Sequence, residues 1–181
     1  MKKLAVLATL ALVAWWLFFS GGSSQFGCEA AGAGGPVAHA DSGDCPADVH
    51  QAAQDSRWAG NRIASITDDR LTTGLLYTED GAETRLTSGE SGDEFDSAIG
   101  YLGDRLGKKQ AAGHVEVKAA AMMRDKGSTY AVLVINNPDG MCGYVLLGLG
   151  CRQVAALILP KGSTMVVWWP SGGPVPITGS A

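Results

Sequence analysis

The sequence predicts an α/β fold, in which helices pack against a central sheet. A short hairpin pattern is followed by helical and extended segments that alternate along the chain. One extended segment, residues 130–135, is apolar throughout, which is typical of a strand buried on both faces. Apolar residues make up 46% of the 181 residues, which is enough for a folded core and excludes a disordered chain.

Residues 1–24 are predicted to be a signal peptide. Lys2 and Lys3 precede an apolar run from residue 4 to residue 19, and small polar residues follow the run. The run is slightly shorter than the ~20 residues of a membrane span, but Trp15 and Trp16 suit a membrane interface, so a retained anchor is the alternative. We therefore expect a secreted protein, or one anchored to the outer face of the cytoplasmic membrane.

The next two segments differ in composition. Residues 25–43 are rich in Gly, Ala and Ser and are predicted to be a flexible linker. Residues 44–70 are predicted to be an N-terminal helical segment, because apolar residues recur at helical spacing as far as Ile66 and Pro46 suits a first turn. The remaining residues, 71–181, are predicted to form the main domain.

The main domain opens with a hairpin and a helix. Extended runs at 72–78 and 82–87 flank an Asp-Gly pair, which is a hairpin signal. A helix opening at residues 91–94 places apolar residues on one face, namely Phe95, Ile99, Leu102 and Leu106. Residues 107–113 are predicted to be a basic loop.

The second half of the main domain alternates helices with strands. Residues 114–126 are rich in Ala and Met and predict a helix, which Gly127 ends. The buried strand at 130–135 leads into a turn at 136–140. A helix from residue 151 to residue 159 and a strand from residue 164 to residue 169 complete the pattern.

Charge is distributed unevenly along the chain, whose formal net charge is −4. Residues 41–104 contain 14 acidic and 4 basic residues, whereas residues 105–161 contain 8 basic and 3 acidic residues. Basic residues suit a polyanionic substrate, which releases counterions on binding. Lys118 and Arg124 are candidates for phosphate contact, although basic side chains that simply face water give the same pattern.

Three short features supply residue types that hold zinc. His114 and Glu116 lie where a helix begins, Cys142 follows the turn after the buried strand, and Cys151 begins the next helix. One imidazole and two thiolates bind Zn²⁺ and leave a fourth position for water, whose pKa the metal lowers toward ~7. Glu116 would transfer protons and not bind metal. The pattern is a degenerate form of the His-x-Glu…Pro-Cys-x-x-Cys signature of zinc nucleobase deaminases.

Two geometric conditions accompany this interpretation. His114 and Glu116 converge only if both lie in the first, open turn of the helix, because residues two apart do not share a helix face. Cys142 and Cys151 are separated by eight residues instead of two. The segment 143–150 must therefore loop out, which its three glycines permit.

Several stretches are similar to the secreted bacterial deaminase toxins of the cytidine-deaminase superfamily, which include an enzyme acting on double-stranded DNA. They are residues 113–127, 134–144 and 149–167, together with the hairpin residues 72–75 and 86–89. The resemblance covers roughly residues 71–170. In the double-stranded-DNA enzyme the second cysteine falls where Val145 stands here, so we interpret the long spacing as an insertion before Cys151.

The resemblance implies a three-layer α/β/α sandwich with a mixed central sheet and a deaminase domain at residues 71–181. It implies that His114, Cys142 and Cys151 bind Zn²⁺ and that Glu116 is the catalytic proton shuttle. It also implies hydrolytic conversion of cytosine to uracil in DNA, single- or double-stranded, toxicity to competing bacteria, and a cognate immunity protein in the producer. Contact with the membrane is expected only through the N-terminal segment.

Residue type and position suggest further contacts with the substrate. Tyr77 and Trp168 are candidates for stacking on a flipped base, although both residue types more often pack in a core. Ser88 and Gly89, in a turn near the end of the hairpin, are candidates for contact with the base or sugar. Asn136 or Asn137 is a candidate for holding the sugar, with fixing the turn as the alternative role.

A non-catalytic function is the alternative. Four cysteines in an exported protein also favour disulfides, and local pairs would join Cys28 to Cys45 and Cys142 to Cys151. The protein would then be a disulfide-stapled binding module on a deaminase-like fold, without zinc. A free-nucleoside or tRNA deaminase is disfavoured by export, because those substrates are cytoplasmic.

Overall fold

A five-stranded mixed sheet forms the centre of the protein. The computed structural model describes residues 46–105, 107–143 and 149–181. The strands are β1 (Thr73–Thr78), β2 (Glu83–Thr87), β3 (Tyr130–Ile135), β4 (Thr164–Trp169) and β5 (Gly172–Thr178). Their order is β2-β1-β3-β4-β5, in which β3 and β4 are parallel and the other neighbouring pairs are antiparallel.

Helices cover both faces of the sheet. They are α1 (Val49–Ala52), α2 (Ser56–Ala64), α3 (Asp93–Leu102), α4 (Lys108–Ala112), α5 (Val115–Lys126) and α6 (Cys151–Ile158). Buried residues of α1 and α2 form one apolar cluster with the sheet, and buried residues of α3 to α6 form the other. The helices therefore make the two outer layers of an α/β/α arrangement.

Alternation along the central strands explains the two clusters. In β3, Leu133 and Ile135 pack toward α3–α6, whereas Val132 and Val134 pack toward α1 and α2. Successive side chains of a strand point to opposite faces, so a strand covered on both sides must be apolar throughout. The predicted α/β class with a mixed central sheet is confirmed.

The predicted N-terminal helical segment consists of two short helices. The carboxylate of Asp48 accepts hydrogen bonds from the first turn of α1, and that of Asp55 accepts bonds from Arg57 N and Trp58 N at 2.9 Å. A side chain that caps a helix N-terminus starts a new helix at that point. The apolar spacing continues across the break, so Val49, Trp58 and Ile63 share one buried cluster.

Two elements differ from the sequence prediction. The expected basic loop at 107–113 contains α4, whose Ala111 and Ala112 are fully buried. Strand β5 was not predicted, because its sequence contains Gly172, Gly173 and two prolines. Among the described strands it pairs only with β4, and prolines are tolerated on such an edge strand.

Some predictions concern parts of the chain outside the described residues. These are the signal peptide at 1–24, the linker at 25–43, and the residues Cys28, Cys45, Leu106 and Val145. Within the described ranges, no helix combines the length and apolar character needed to cross a membrane.

Candidate functional site

Several turns meet at the edge of the sheet where β3 ends. Thr73 pairs with Thr87 and Gly74 pairs with Ile135, so the start of β1 lies beside the ends of β2 and β3. The first turn of α5 reaches the same edge, and a pocket of about 370 Å³ opens there. Its lining residues are Thr72, Ser88, Gly89, Glu90, Gln110, Gly113, His114, Val115, Glu116, Asn137 and Cys142.

The start of α5 presents His114 and Glu116 to this pocket. His114 is the N-cap of the helix, with an extended backbone at φ −82° and ψ 140°. Glu116 is the second residue of the helix, and both side chains line the pocket. This is the open first turn that the His-x-Glu spacing requires.

Gly74 in β1 allows α5 to lie close to the sheet. A Cβ at this position would lie 2.6 Å from Val115 Cγ1 and 2.9 Å from Leu133 Cδ1. A larger residue would therefore push the first turn of α5 away from β1. Gly74 thus positions His114 and Glu116, a role that its sequence context alone does not reveal.

The two distant cysteines come together beside His114. The backbone N–H of Cys151, at the start of α6, donates to the carbonyl of Cys142 at 3.1 Å. The two Cα atoms are 5.5 Å apart, and the sulfurs form a disulfide. The described ends of the intervening segment therefore meet, as the long spacing requires.

The same three side chains offer donor atoms for a metal. His114 Nδ1 lies 3.4 Å from Cys142 Sγ and 3.3 Å from Cys151 Sγ. In tetrahedral zinc coordination, nitrogen and sulfur ligands are separated by about 3.5 Å. The nitrogen-to-sulfur distances and the donor types fit Zn²⁺, provided that both sulfurs are reduced.

The disulfide and the candidate metal site would use the same sulfur atoms. Zinc binds thiolates, and a disulfide has none, so the protein can hold one arrangement or the other at a given time. The start of α6 favours thiolates, because the positive end of the helix dipole lies at Cys151. Reduction of the disulfide would therefore turn the two sulfurs into candidate metal ligands.

Burial alters the protonation of both residues in the first turn of α5. Glu116 is 3% exposed, and desolvation raises its pKa to about 7. Desolvation also lowers the pKa of His114, which favours the neutral ring. At neutral pH, Glu116 can both accept and donate a proton, and the neutral imidazole can act as a ligand.

The structure brings some predicted substrate residues to the pocket. Ser88 and Gly89 line it, and their amides are held by backbone bonds to Thr72 O at 2.8 Å and Gly113 O at 2.9 Å. Sequence reasoning missed Gln110, because the basic loop was not expected to be helical. It also missed further lining residues, namely Thr72 and Glu90.

The predicted base-stacking residues lie elsewhere. Tyr77 is fully buried in the cluster on the α1–α2 face, where its hydroxyl donates to Glu83 Oε2 at 2.7 Å. Trp168 belongs to the same cluster, and its indole N–H donates to Ala53 O at 3.3 Å. The stacking prediction does not fit these positions, and both rings have the core role that was its alternative.

Asn136 ties the turn together and does not line the pocket. Its Oδ1 accepts a hydrogen bond from Thr73 N at 2.8 Å. Its Nδ2 donates to Ile66 O at 3.0 Å and Leu71 O at 3.2 Å. The sugar-binding prediction therefore does not fit this side chain, whereas its neighbour Asn137 does reach the pocket.

The predicted phosphate contacts are also engaged inside the fold. Lys118 is 2% exposed and its ammonium donates to backbone carbonyls. Arg124 donates to Ile158 O at 3.1 Å and lies 4.2 Å from the ring centre of Tyr101. Lys118 is thus closed off from a phosphate group, and neither side chain lines the pocket.

Comparisons with known proteins identify the family of this chain. A family model for SCP1.201-like deaminases matches residues 43–181, which include α1 and α2 as well as the sheet. The double-stranded DNA deaminase toxin A of Burkholderia cenocepacia (strain H111) is 38% identical over 61 residues. That alignment covers 34% of this chain and 4% of the toxin. The resemblance found in the motifs is confirmed, and the chain belongs to the SCP1.201-like deaminase family.

Proposed function

We propose that this protein is a zinc-dependent cytosine deaminase that converts cytosine to uracil in DNA. The observation that carries the proposal is the position of His114 Nδ1, 3.4 and 3.3 Å from the sulfurs of Cys142 and Cys151, beside a pocket lined by Glu116. Family membership supports deaminase chemistry. The partial similarity to a double-stranded DNA deaminase toxin supports DNA as the substrate.

The site residues divide the chemistry between them. His114 and the reduced Cys142 and Cys151 would hold Zn²⁺, which when bound acidifies water and polarises its O–H bond. Glu116 accepts a proton from water, delivers it to ring nitrogen N3, and supplies a proton to the leaving amine. Cytosine and water give uracil and ammonia, so the reaction needs no further reactant.

The pocket suits an extruded base. A base inside a duplex cannot reach a recessed site, so the target nucleotide must flip out or be single-stranded. Ser88 and Asn137 bring polar groups to the pocket wall, and the glycines in the lining expose backbone. We assign contacts with the base and sugar to this wall.

Helix α4 offers basic side chains for the DNA backbone. Lys108 and Lys109 precede Gln110, which lines the pocket, and Lys109 is exposed. Lys108 forms a partly exposed pair with Asp104 at 3.6 Å. We assign phosphate contact to Lys109 in place of Lys118 and Arg124, because an exposed cation near the pocket can reach a polyanion.

The proposed biological role rests on the N-terminal sequence and on the relative's name. We propose a secreted antibacterial toxin, exported through residues 1–24 or anchored by them to the outer face of the cytoplasmic membrane. A cognate immunity protein would protect the producer. The charged and apolar pattern of the N-terminus supports export, and the name of the Burkholderia protein supports the toxin role.

The decisive experiment measures uracil in DNA. Reduced, zinc-loaded full-length protein is incubated with single- and double-stranded DNA, and uracil is detected by glycosylase treatment and strand cleavage. We expect uracil with the wild type and none with Glu116→Gln, which keeps all three metal ligands and should bind equal zinc. Equal uracil from both proteins would reject the role of Glu116, and none from the wild type would reject the proposed activity.

A non-catalytic binding module is the second candidate, and the disulfide between Cys142 and Cys151 favours it. The two functions predict different metal and thiol contents after mild reduction. A deaminase should bind one zinc ion per chain and yield two titratable thiols from this pair after zinc removal. A stapled module should bind no zinc, and it should leave DNA unmodified in the reduced and in the oxidised form.

A further inference from the structure

Helix α5 buries a lysine beside the pocket. Lys118 follows His114 by four residues, so the two lie on neighbouring positions of one helix face. The lysine is 2% exposed, and lysines are almost never fully buried unless they are paired. Its ammonium must therefore bond to other groups of the protein in place of water.

The contacts of this ammonium are specific. Lys118 Nζ donates to Thr87 O at 3.0 Å and to Ser91 O at 2.7 Å. It also forms an ion pair with Glu94 Oε1 at 3.4 Å, in the first turn of α3. An ammonium carries three N–H donors, and these three acceptors match that number.

The two carbonyls belong to residues that flank a lining stretch of the pocket in the chain. Residues 88–91, here called the pocket loop, contain Ser88, Gly89 and Glu90, which line the pocket. The loop follows Thr87 directly and ends at Ser91, so Lys118 holds it at both ends. Gly89 has φ +136°, a conformation that other residues rarely adopt, so the shape of the loop requires glycine at this position.

We propose that Lys118 is a positioning residue that fixes the pocket loop relative to His114 and Glu116. A single helix then carries a metal-ligand candidate, the proton shuttle and the anchor of the substrate-binding wall. The inference rests on the proposed deaminase function, because it assigns the loop to substrate binding. It does not make Lys118 a catalytic residue, since its ammonium contacts the loop and Glu94.

The test removes the ammonium while keeping an unbranched side chain that is shorter by one atom. For Lys118→Met we expect KM for a cytosine-containing oligonucleotide to rise about tenfold, because charge-assisted hydrogen bonds to the loop are lost. We expect kcat to change less than about twofold, since a substrate-binding defect of this kind leaves the proton shuttle in place. Zinc content should equal that of the wild type.

The matched control is Lys126→Met, on the same helix but exposed at its far end. Lys126 is two helical turns beyond Lys118, about 12 Å along the axis, so KM and kcat should both remain at wild-type values. A rise in KM for Lys118→Met alone supports the positioning role. An unchanged KM, or a collapse of kcat accompanied by loss of zinc, would overturn it.

Hydrogen exchange tests the inference without any substrate. In Lys118→Met the amides of Ser88 and Gly89 should exchange at least about tenfold faster, while amides of β3 keep their protection. If wild-type protein makes no uracil, the proposed function fails, but this measurement still decides whether Lys118 holds the loop. Unchanged exchange at residues 88–91 would overturn the positioning role.

A second variant covers the case in which Lys118→Met does not fold. Glu94→Gln keeps a polar partner for the ammonium but removes its counter-charge, at a side chain that is 21% exposed. We expect it to fold, to raise KM about threefold, and to speed exchange in the pocket loop. If both quantities remain at wild-type values, the proposed coupling between Lys118 and the loop is wrong.

Discussion

Glu116 is a carboxyl group that the fold has removed from water. Its exposure is 3%, and desolvation raises its pKa to about 7, against 4.5 as the ordinary value. The folded state therefore binds this proton more tightly than the unfolded chain does. The resulting stability is fully present below pH 4.5 and is lost as the pH rises through 7.

This linkage gives a test by protein stability. In the metal-free, disulfide-bonded protein, Glu116→Gln removes the titration. At pH 8 the variant should be more stable than the wild type, by up to about 3 kcal/mol. At pH 4 the two proteins should be nearly equal, because the wild-type carboxyl is neutral. Denaturant unfolding at both pH values measures the difference, and a difference independent of pH would contradict the assignment.

Gly74 is the second residue whose substitution has a definite expected cost. Gly74→Ala should lower the free energy of unfolding by about 1–3 kcal/mol, because its Cβ would meet Val115 and Leu133. It should also weaken zinc binding by displacing the first turn of α5. Gly60→Ala is the matched control, since a Cβ at that helical position meets nothing within 4 Å and should be neutral or stabilising.

The sequence was most informative where residue type alone determines the chemistry. The chain supplies, in order, an imidazole, a carboxylate and two thiols, at His114, Glu116, Cys142 and Cys151. This set suggests zinc chemistry without any knowledge of side-chain direction. Tyr77 could not be placed in this way, because a residue in a strand can face either side of a sheet. Its side was decided by the register of β1 against β2 and β3, which only the folded chain fixes.

At the level of single elements, the least predictable helix was α4. Its five residues are too few to form a stable helix alone, and glycines flank it on both sides. It forms because Ala111 and Ala112 pack into the core, which is a tertiary effect. The helix therefore places Gln110 in the pocket wall and the exposed Lys109 next to it in the chain.

A charge substitution in α4 tests the proposed DNA contact. Lys109→Gln should weaken binding of non-specific DNA and reduce the slope of log K against log salt by about one. The slope is measured by titration at several salt concentrations. Lys126→Gln serves as the control, because Lys126 lies at the opposite end of α5 from the pocket, about 18 Å along the helix axis. Equal slopes for the wild type and both variants would show that Lys109 does not contact the DNA backbone.

At the level of the whole molecule, the layered architecture could be predicted from the sequence. Apolar residues at helical spacing indicate the helices, and extended apolar runs indicate the strands. The continuous apolar run of β3 indicated burial on both faces, and the structure places helices on both. Strand β5 escaped detection because Gly and Pro are poor strand formers. It is specified by its pairing with β4, where Pro176 lies opposite Val166 on the sheet edge.

The redox state of the protein should decide whether it binds metal. We expect the oxidised protein, with Cys142 joined to Cys151, to bind no zinc, and the reduced protein to bind one ion. Zinc-loaded protein should resist disulfide formation until a chelator removes the metal. Metal analysis and thiol titration of the same samples measure both quantities. Stoichiometric zinc in fully oxidised protein would contradict the shared use of these sulfurs.

The contacts that close the segment between the two cysteines have a practical consequence. Cys151 N–H bonds to Cys142 O, and Gly150 approaches the Gly143 carbonyl so closely that a Cβ would lie 2.5 Å from its oxygen. These contacts hold the described ends of the segment together beside the two sulfurs. We therefore expect that changes of length within this stretch, or an epitope grafted into it, leave the two sulfurs that it joins in place.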